Sequence, residues 1–269
     1  MSQHPSPDPF WAQYPRDFVM VEGADALSYL HSQVSQDIQV LAVGASAWTL
    51  LLQPTGKVDV LARVLRSGDT AYVFDVDAGA GDALVARLLR FKIRVKADVS
   101  VIPWRCIAVR GVAATAIGVA SGAIAVATWW NDPGLGVDLL GPAPQPPAGL
   151  REGSVEELER ARVGAAWPAM GSEITDATIP AETGVTDVAV SFTKGCYPGQ
   201  ELVERMDSRG AGAPRRLVAL LATDGARPGD PIVVDAVEVG ALTSVAGDVA
   251  LGWVRRSVPD EAIPNLRHR

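Results

Sequence analysis

The chain has 269 residues, 48% of them hydrophobic and 20% charged, and a formal net charge of −7. That length suits one large domain or two to three small ones, and the composition excludes a disordered chain. The acidic balance excludes the broad basic field that non-specific nucleic-acid binding needs, since the basic runs Arg215-Arg216 and Arg255-Arg256 are short.

In chain order, residues 1–20 read as an irregular arm that ends in a short strand over 17–21. Gly23-Ala24-Asp25 opens a helix with Leu27, Leu30 and Val34 at helical spacing. Strands over 48–52 and 58–65 flank the turn Gln53-Pro54-Thr55-Gly56-Lys57 and make a hairpin. A strand over 71–76 precedes a helix that Asp82 caps and that carries Leu84, Val85, Leu88 and Leu89. Residues 92–96 alternate charge and aliphatic, as a half-exposed strand does. Further β runs follow at 99–101 and 106–109. The proline-rich stretch 141–149 is a stiff connector. Ser154 and Glu157 then form a capping box for a helix running to Arg162. A polar, irregular region covers 170–186. Beyond a boundary at 208–214, short β runs at 217–221, 232–234, 237–239, 242–245 and 249–254 predict a small β-barrel or sandwich. Mixed strands and helices without a long parallel run point to an α+β fold.

The chemistry concentrates in Lys194-Gly195-Cys196-Tyr197-Pro198-Gly199-Gln200-Glu201. Its glycines and proline make it a turn or loop. Cys196 reads as a partly exposed thiol whose thiolate is favoured by Lys194 and by turn amides. The bland alternative is a buried small hydrophobe, which is the reading for Cys106 in its strand context. With two cysteines and three histidines (His4, His31, His268), neither a structural zinc site nor a disulfide framework can be built at usual spacing. A reducing cytoplasm is the expected compartment. The apolar stretch 111–130 is broken by Gly118 and Gly122 and reads as packed elements, not a membrane span. No dinucleotide or P-loop glycine motif is present.

Two further side chains keep two readings each. Glu182, between a proline turn and Gly184, can accept two hydrogen bonds from an amino-pyrimidine edge, or serve as a cap or surface carboxylate. Arg162 can stabilise a helix C-terminus or bind an anionic ligand. The pair Trp129-Trp130 beside Asn131-Asp132 reads as packing rather than a stacking platform.

The eight-residue motif matches K-G-C-[YF]-x-G-Q-E and resembles the YgfZ-type folate-binding proteins, relatives of the glycine-cleavage T-protein. Gly23-Ala24-Asp25-Ala26 with Leu30, Gln33 and Asp37, then Pro54-Thr55-Gly56-Lys57, Arg162-Val163-Gly164, Pro180-Ala181-Glu182 and Leu251-Gly252-Trp253-Val254 follow in the family's order. The resemblance implies three subdomains around a central channel that binds tetrahydrofolate. Residues 1–207 would form two intertwined α+β subdomains and 215–269 a C-terminal β-barrel. It implies a role in iron–sulfur cluster assembly or repair, linked indirectly to tRNA thiomethylation, with a cluster enzyme or assembly protein as partner. It makes Cys196 the functional thiol, with Lys194 beside it, and Glu182, Arg162, Tyr197 and Gln200 the folate contacts. Asp82 falls near the family's catalytic aspartate. One thiol cannot hold a cluster that wants about four ligands, so a partner would supply the rest. A folate-dependent aminomethyl or methyl transferase and a non-catalytic folate-sensing scaffold are the alternatives. Neither direct nucleic-acid contact nor a membrane is expected.

Overall fold

A computed structural model describes residues 8–119, 122–128, 136–208 and 212–267. The pair Trp129-Trp130 with Asn131-Asp132, and Arg209-Gly210-Ala211 of the expected boundary, lie outside the described residues. So do His4 and His268.

The first sheet holds β3 (Ser46–Leu52), β4 (Val58–Arg66), β5 (Ala71–Asp77), β2 (Arg16–Glu22) and β6 (Asp98–Val101), in that order and all antiparallel. Its strands β4 and β5 are buried on both faces, with the charged Arg63 and Asp75 among the buried residues. One face packs on α1 (Ala26–His31) and α2 (Gly81–Phe91) through Leu30, Val60, Val64, Phe74, Leu84 and Leu88. The other face meets a second sheet through Phe18, Leu65, Val73, Cys106 and Leu140.

That second sheet holds β10 (Arg151–Glu152), β1 (Phe10–Tyr14), β7 (Arg105–Arg110), β9 (Gly136–Gly141) and β8 (Ile124–Ala127). Only the β1–β10 pair is parallel. Then come α3 (Val155–Gly164), α4 (Pro180–Thr183), α5 (Thr186–Ala189) and α6 (Gln200–Ser208). The third sheet is antiparallel in the order β11 (Arg215–Leu221), β14 (Val249–Arg255), β13 (Val237–Ala246), β12 (Pro231–Val234). Its four strands form an open sheet whose edges are β11 and β12. The runs at 237–239 and 242–245 are one strand, β13, with a bulge between Leu242 and Ser244.

Several local expectations change once tertiary partners are present. The arm contains β1, which pairs with β7 along its whole length. Residues 92–96 are not a strand: Lys92 caps α2 and Arg94 turns with φ of 55°, so pairing begins at Asp98. The first helix stops at His31, and Val34 bridges to Leu51 instead. Asp82 lies in the first turn of α2 but is not its cap. Asp17, from β2, accepts from the backbone N–H of Gly79 and Gly81 at 2.8 and 3.0 Å and caps the helix across the fold. The Ser154–Glu157 capping box forms as read, with reciprocal bonds of 3.2 and 3.0 Å. Among the described residues, no helix is long and apolar enough to cross a membrane.

A chain of buried charges joins the two five-stranded sheets. Arg16 Nε donates to Asp75 Oδ1 at 2.9 Å, and Arg63 Nε donates to Asp75 Oδ2 at 2.8 Å. Arg63 Nη1 and Arg110 Nη1 then share Asp138, both at 2.8 Å. Burial alone would raise the Asp138 pKa, but the Arg110 and Arg63 guanidinium groups outweigh it and hold the carboxyl below its ordinary value. A depressed folded-state pKa contributes stability that is complete above the unfolded value and is lost as pH falls through the folded one. Asp138→Asn should therefore lower the unfolding free energy near pH 7 by about 3–5 kcal/mol. In urea titrations the gap to wild type should narrow below about pH 4. A gap that is constant with pH would contradict the ion-pair account.

Candidate functional site

The motif segment is seated from two sides. On one side, the chain ahead of it is tied to the connection after α1. Ser35 Oγ donates to Ala189 O at 2.6 Å, Gln36 Nε2 to Val188 O at 2.8 Å, and Ser191 N to Ser35 O at 3.0 Å. Lys194 Nζ completes the seam by donating to His31 O and Val34 O, both at 2.5 Å. On the other side, the motif lies against the β3–β4 turn. Gly199 has φ of 81°, and a Cβ there would fall 2.4 Å from Gln53 O and 3.0 Å from Gly56 Cα. A Cβ on Gly56 would in turn meet Leu202 Cβ at 2.5 Å. The glycines of the two sequence motifs thus permit one close backbone contact.

Tyr197 anchors the loop. Its side chain is buried in the core that also contains Trp48, Leu61, Trp167 and Val203. Burial, with a smaller contribution from Glu204, raises its phenol pKa to about 12. Its backbone N–H donates to Gln200 Oε1 at 2.8 Å. The other end of that amide, Gln200 Nε2, lies 3.8 Å from Cys196 Sγ. Gln200 is the first residue of α6, and the Cys196 side of the turn is exposed. The result is an accessible thiol on a fixed turn, with one N–H donor aimed at its sulfur. Cys106 is buried between the sheets, where burial and the Asp138 charge push its thiol pKa well up.

Lys194 is half-buried, with its ammonium 5.1 Å from the centre of the Tyr197 ring. Burial lowers its pKa to about 8, opposed by the charge of Asp37. His31 is also lowered, by burial and then by Lys194, while Asp37 at 3.7 Å pulls it up.

Arg162 and Glu182 belong to two other nodes, both of which tie the third sheet to the helices. All five N–H donors of Arg162 are engaged: two by Glu159 (2.8 and 2.6 Å), one each by Trp167 O (2.6 Å), Glu173 (3.0 Å) and Ser244 (2.9 Å). Glu173 is fully buried and also accepts from Thr243 Oγ1, Ser244 Oγ and Ala169 N. Glu182 is clamped by Arg215 through both oxygens, at 3.0 and 3.2 Å, and Arg215 lies over the Trp253 ring. Of the residues singled out in the sequence, Cys196, Tyr197, Gln200 and Lys194 come together. Glu173 and Arg215 were missed because their partners are distant in sequence and no local pattern marks them.

Tetrahydrofolate would need free donors and acceptors from its four expected contacts. Both Glu182 oxygens, every Arg162 N–H and both ends of the Gln200 amide are already engaged by protein groups, and Tyr197 is buried. As arranged, Arg162, Tyr197 and Gln200 do not fit a pterin, while Glu182 keeps acceptor capacity beside its Arg215 clamp. Among the described residues, no group of three or more His, Cys, Asp or Glu could hold a metal ion.

No family model matches the chain. It is similar to an iron–sulfur cluster assembly factor, the mitochondrial IBA57 homologue of Chaetomium globosum, with 27% identity covering 92% of this chain and 63% of that protein. An uncharacterized protein of Haemophilus influenzae is 28% identical over 72% of this chain and 66% of its own length. Among solved structures, the glycine cleavage system aminomethyltransferase T of Bartonella henselae superposes with a TM-score of 0.70 and 17% identity, over 92% of this chain and 78% of that one. The chain thus has the fold of the T-protein and is similar along most of its length to an iron–sulfur cluster assembly factor. The chain spans somewhat less than two thirds of the length of those two curated relatives.

The motif glycines give a paired test. Gly199→Ala should cost about 1–3 kcal/mol from its backbone angle alone, with more from collision with Gln53 O. A Cβ at Gly195 meets nothing within 4 Å, so Gly195→Ala should stay within about 0.5 kcal/mol of wild type. Equal effects in thermal or urea unfolding would contradict the docked-turn geometry.

Proposed function

We propose that this protein assists iron–sulfur cluster assembly or repair, with Cys196 as a cluster ligand shared with a partner. The observation that carries this reading is the exposed Cys196 thiol, held on a turn fixed from both sides with Gln200 Nε2 at its sulfur. The step is a ligand exchange. The thiol releases its proton to solvent, the thiolate sulfur binds a cluster iron, and the partner's own ligands complete the coordination. The partner is an iron–sulfur enzyme or a cluster-assembly protein, and tRNA thiomethylation is affected through such an enzyme. The similarity to an assembly factor along most of the chain supports this reading.

Within it, residues 1–207 form the body and 215–269 a C-terminal unit. The finer arrangement, three subdomains around a channel with the C-terminal unit as a β-barrel, belongs to the same proposal. So does a reducing, cytoplasmic setting for the thiol. Tetrahydrofolate is the small molecule with which the T-protein fold is consistent. Because its expected contacts are engaged elsewhere, no step is routed through it. The fold by itself does not select methyl or aminomethyl transfer.

Cys196→Ala and Cys196→Ser should both abolish support of a cluster-dependent enzyme in cells that lack the wild-type protein. Full support by either variant would overturn the proposal. Gln200→Leu should slow alkylation of Cys196 at neutral pH about fivefold, the size of one hydrogen bond near 1 kcal/mol. An unchanged rate would remove Gln200 from the thiol's environment.

A further inference from the structure

We infer that a cavity between α4, α6 and the end of β14 is an anchor pocket, which takes one apolar side chain from an extended segment of a partner protein. The cavity measures about 170 Å³. Ala181, Phe192, Leu202 and Met206 are among its apolar lining, and Asp207 and Arg256 bring its two charges. Phe192 is a large aromatic left 40% exposed there. This lining adjoins the thiol. Phe192 stands four residues ahead of Cys196. Leu202 and Met206 lie on α6, whose first residue, Gln200, reaches the Cys196 sulfur. The helix rises about 9 Å between Gln200 and Met206.

Size and charge together select the occupant. Sites for small molecules run to roughly 300–1,000 Å³. A space of about 170 Å³ is small for a cofactor and suits a single side chain, the usual anchor of a protein interface. Asp207 and Arg256 are both exposed, and among the described residues no hydrogen bond or ion pair engages either side chain. Gly212 makes room for the Arg256 guanidinium, which a Cβ at that position would overlap. A small anion drawn to Arg256 would also meet Asp207, and a small cation the reverse. A peptide backbone is neutral and answers both, with N–H donors for the carboxylate and C=O acceptors for the guanidinium. The apolar lining then favours leucine, methionine or phenylalanine over a polar side chain. That the peptide belongs to the protein sharing a cluster with Cys196 rests on the function proposed above. The pocket itself is tested without a cluster.

The test is a titration of the full chain, isotope-labelled at its methionine methyl groups, with two neutral peptides, acetyl-Ala-Leu-Ala-amide and acetyl-Ala-Ser-Ala-amide. The Met206 methyl signal should shift and saturate with the leucine peptide. The serine peptide should bind about tenfold more weakly or worse, the loss of one buried leucine side chain. Ala181→Phe, which fills the pocket from α4, should weaken the leucine peptide about tenfold; if that variant does not fold, Thr186→Phe narrows the pocket from α5 and takes its place. A Met206 signal that neither peptide moves, equal affinity for the two peptides, or binding indifferent to the filled pocket would overturn the inference. So would isovalerate binding as tightly as the leucine peptide, since the occupant would then be a small anion. In cells lacking the wild-type protein, the filled-pocket variant should lower support of a cluster-dependent enzyme although its Cys196 is intact. Full support by that variant, beside loss of support in Cys196→Ala, would remove the pocket from partner docking and leave the thiol's role standing.

Discussion

The Arg63 guanidinium is the joint on which the fold turns. It is almost wholly buried, and it bonds Asp75 of one five-stranded sheet and Asp138 of the other, each at 2.8 Å. Such a pair recovers its desolvation cost only when both partners sit in place, so its main effect is to register the sheets rather than to add net stability. The same guanidinium lies 5.0 Å from the centre of the Trp48 ring, and Trp48 packs against Trp167 at 4.5 Å. These two rings belong to the core that receives Tyr197. The position of the motif turn thus follows from the spacing of the sheets, through two tryptophans and one tyrosine.

A second constraint runs through Glu173 and Arg162. A fully buried carboxylate with four donors around it requires β13, α3 and the 167–174 segment to meet in one arrangement. The Glu182–Arg215 pair does the same for α4 and β11. The third sheet is held to the rest of the molecule by polar contacts with fixed geometry, not by apolar packing alone. This is also why two residues expected at a ligand end up as ties within the protein.

What the sequence disclosed was the part encoded locally. The capping box at Ser154, the hairpin around Gly56 and the turn at Gly195 to Gly199 each rest on residues a few positions apart, and each is present. The motif turn was also the correct place to look for an exposed thiol. What it concealed depends on distant partners. Asp17 caps a helix that starts more than sixty residues later. Glu173 looks like part of a polar loop until Ser244 and Arg162 surround it. Lys194, read from adjacency as a neighbour that charges the thiol, is drawn toward α1 by carbonyls left bare where that helix ends early. Spacing along the chain gives no signal for a contact made across it.

The central claim is that the Cys196 sulfur becomes a ligand to cluster iron. Replacing Cys196 with selenocysteine and recording selenium-edge X-ray absorption of the protein in complex with a cluster-loaded assembly partner tests it at the atom concerned. An iron neighbour in the first shell of the selenium is the predicted result. A selenium with only carbon in its first shell, in a complex that still holds its full cluster, would contradict it.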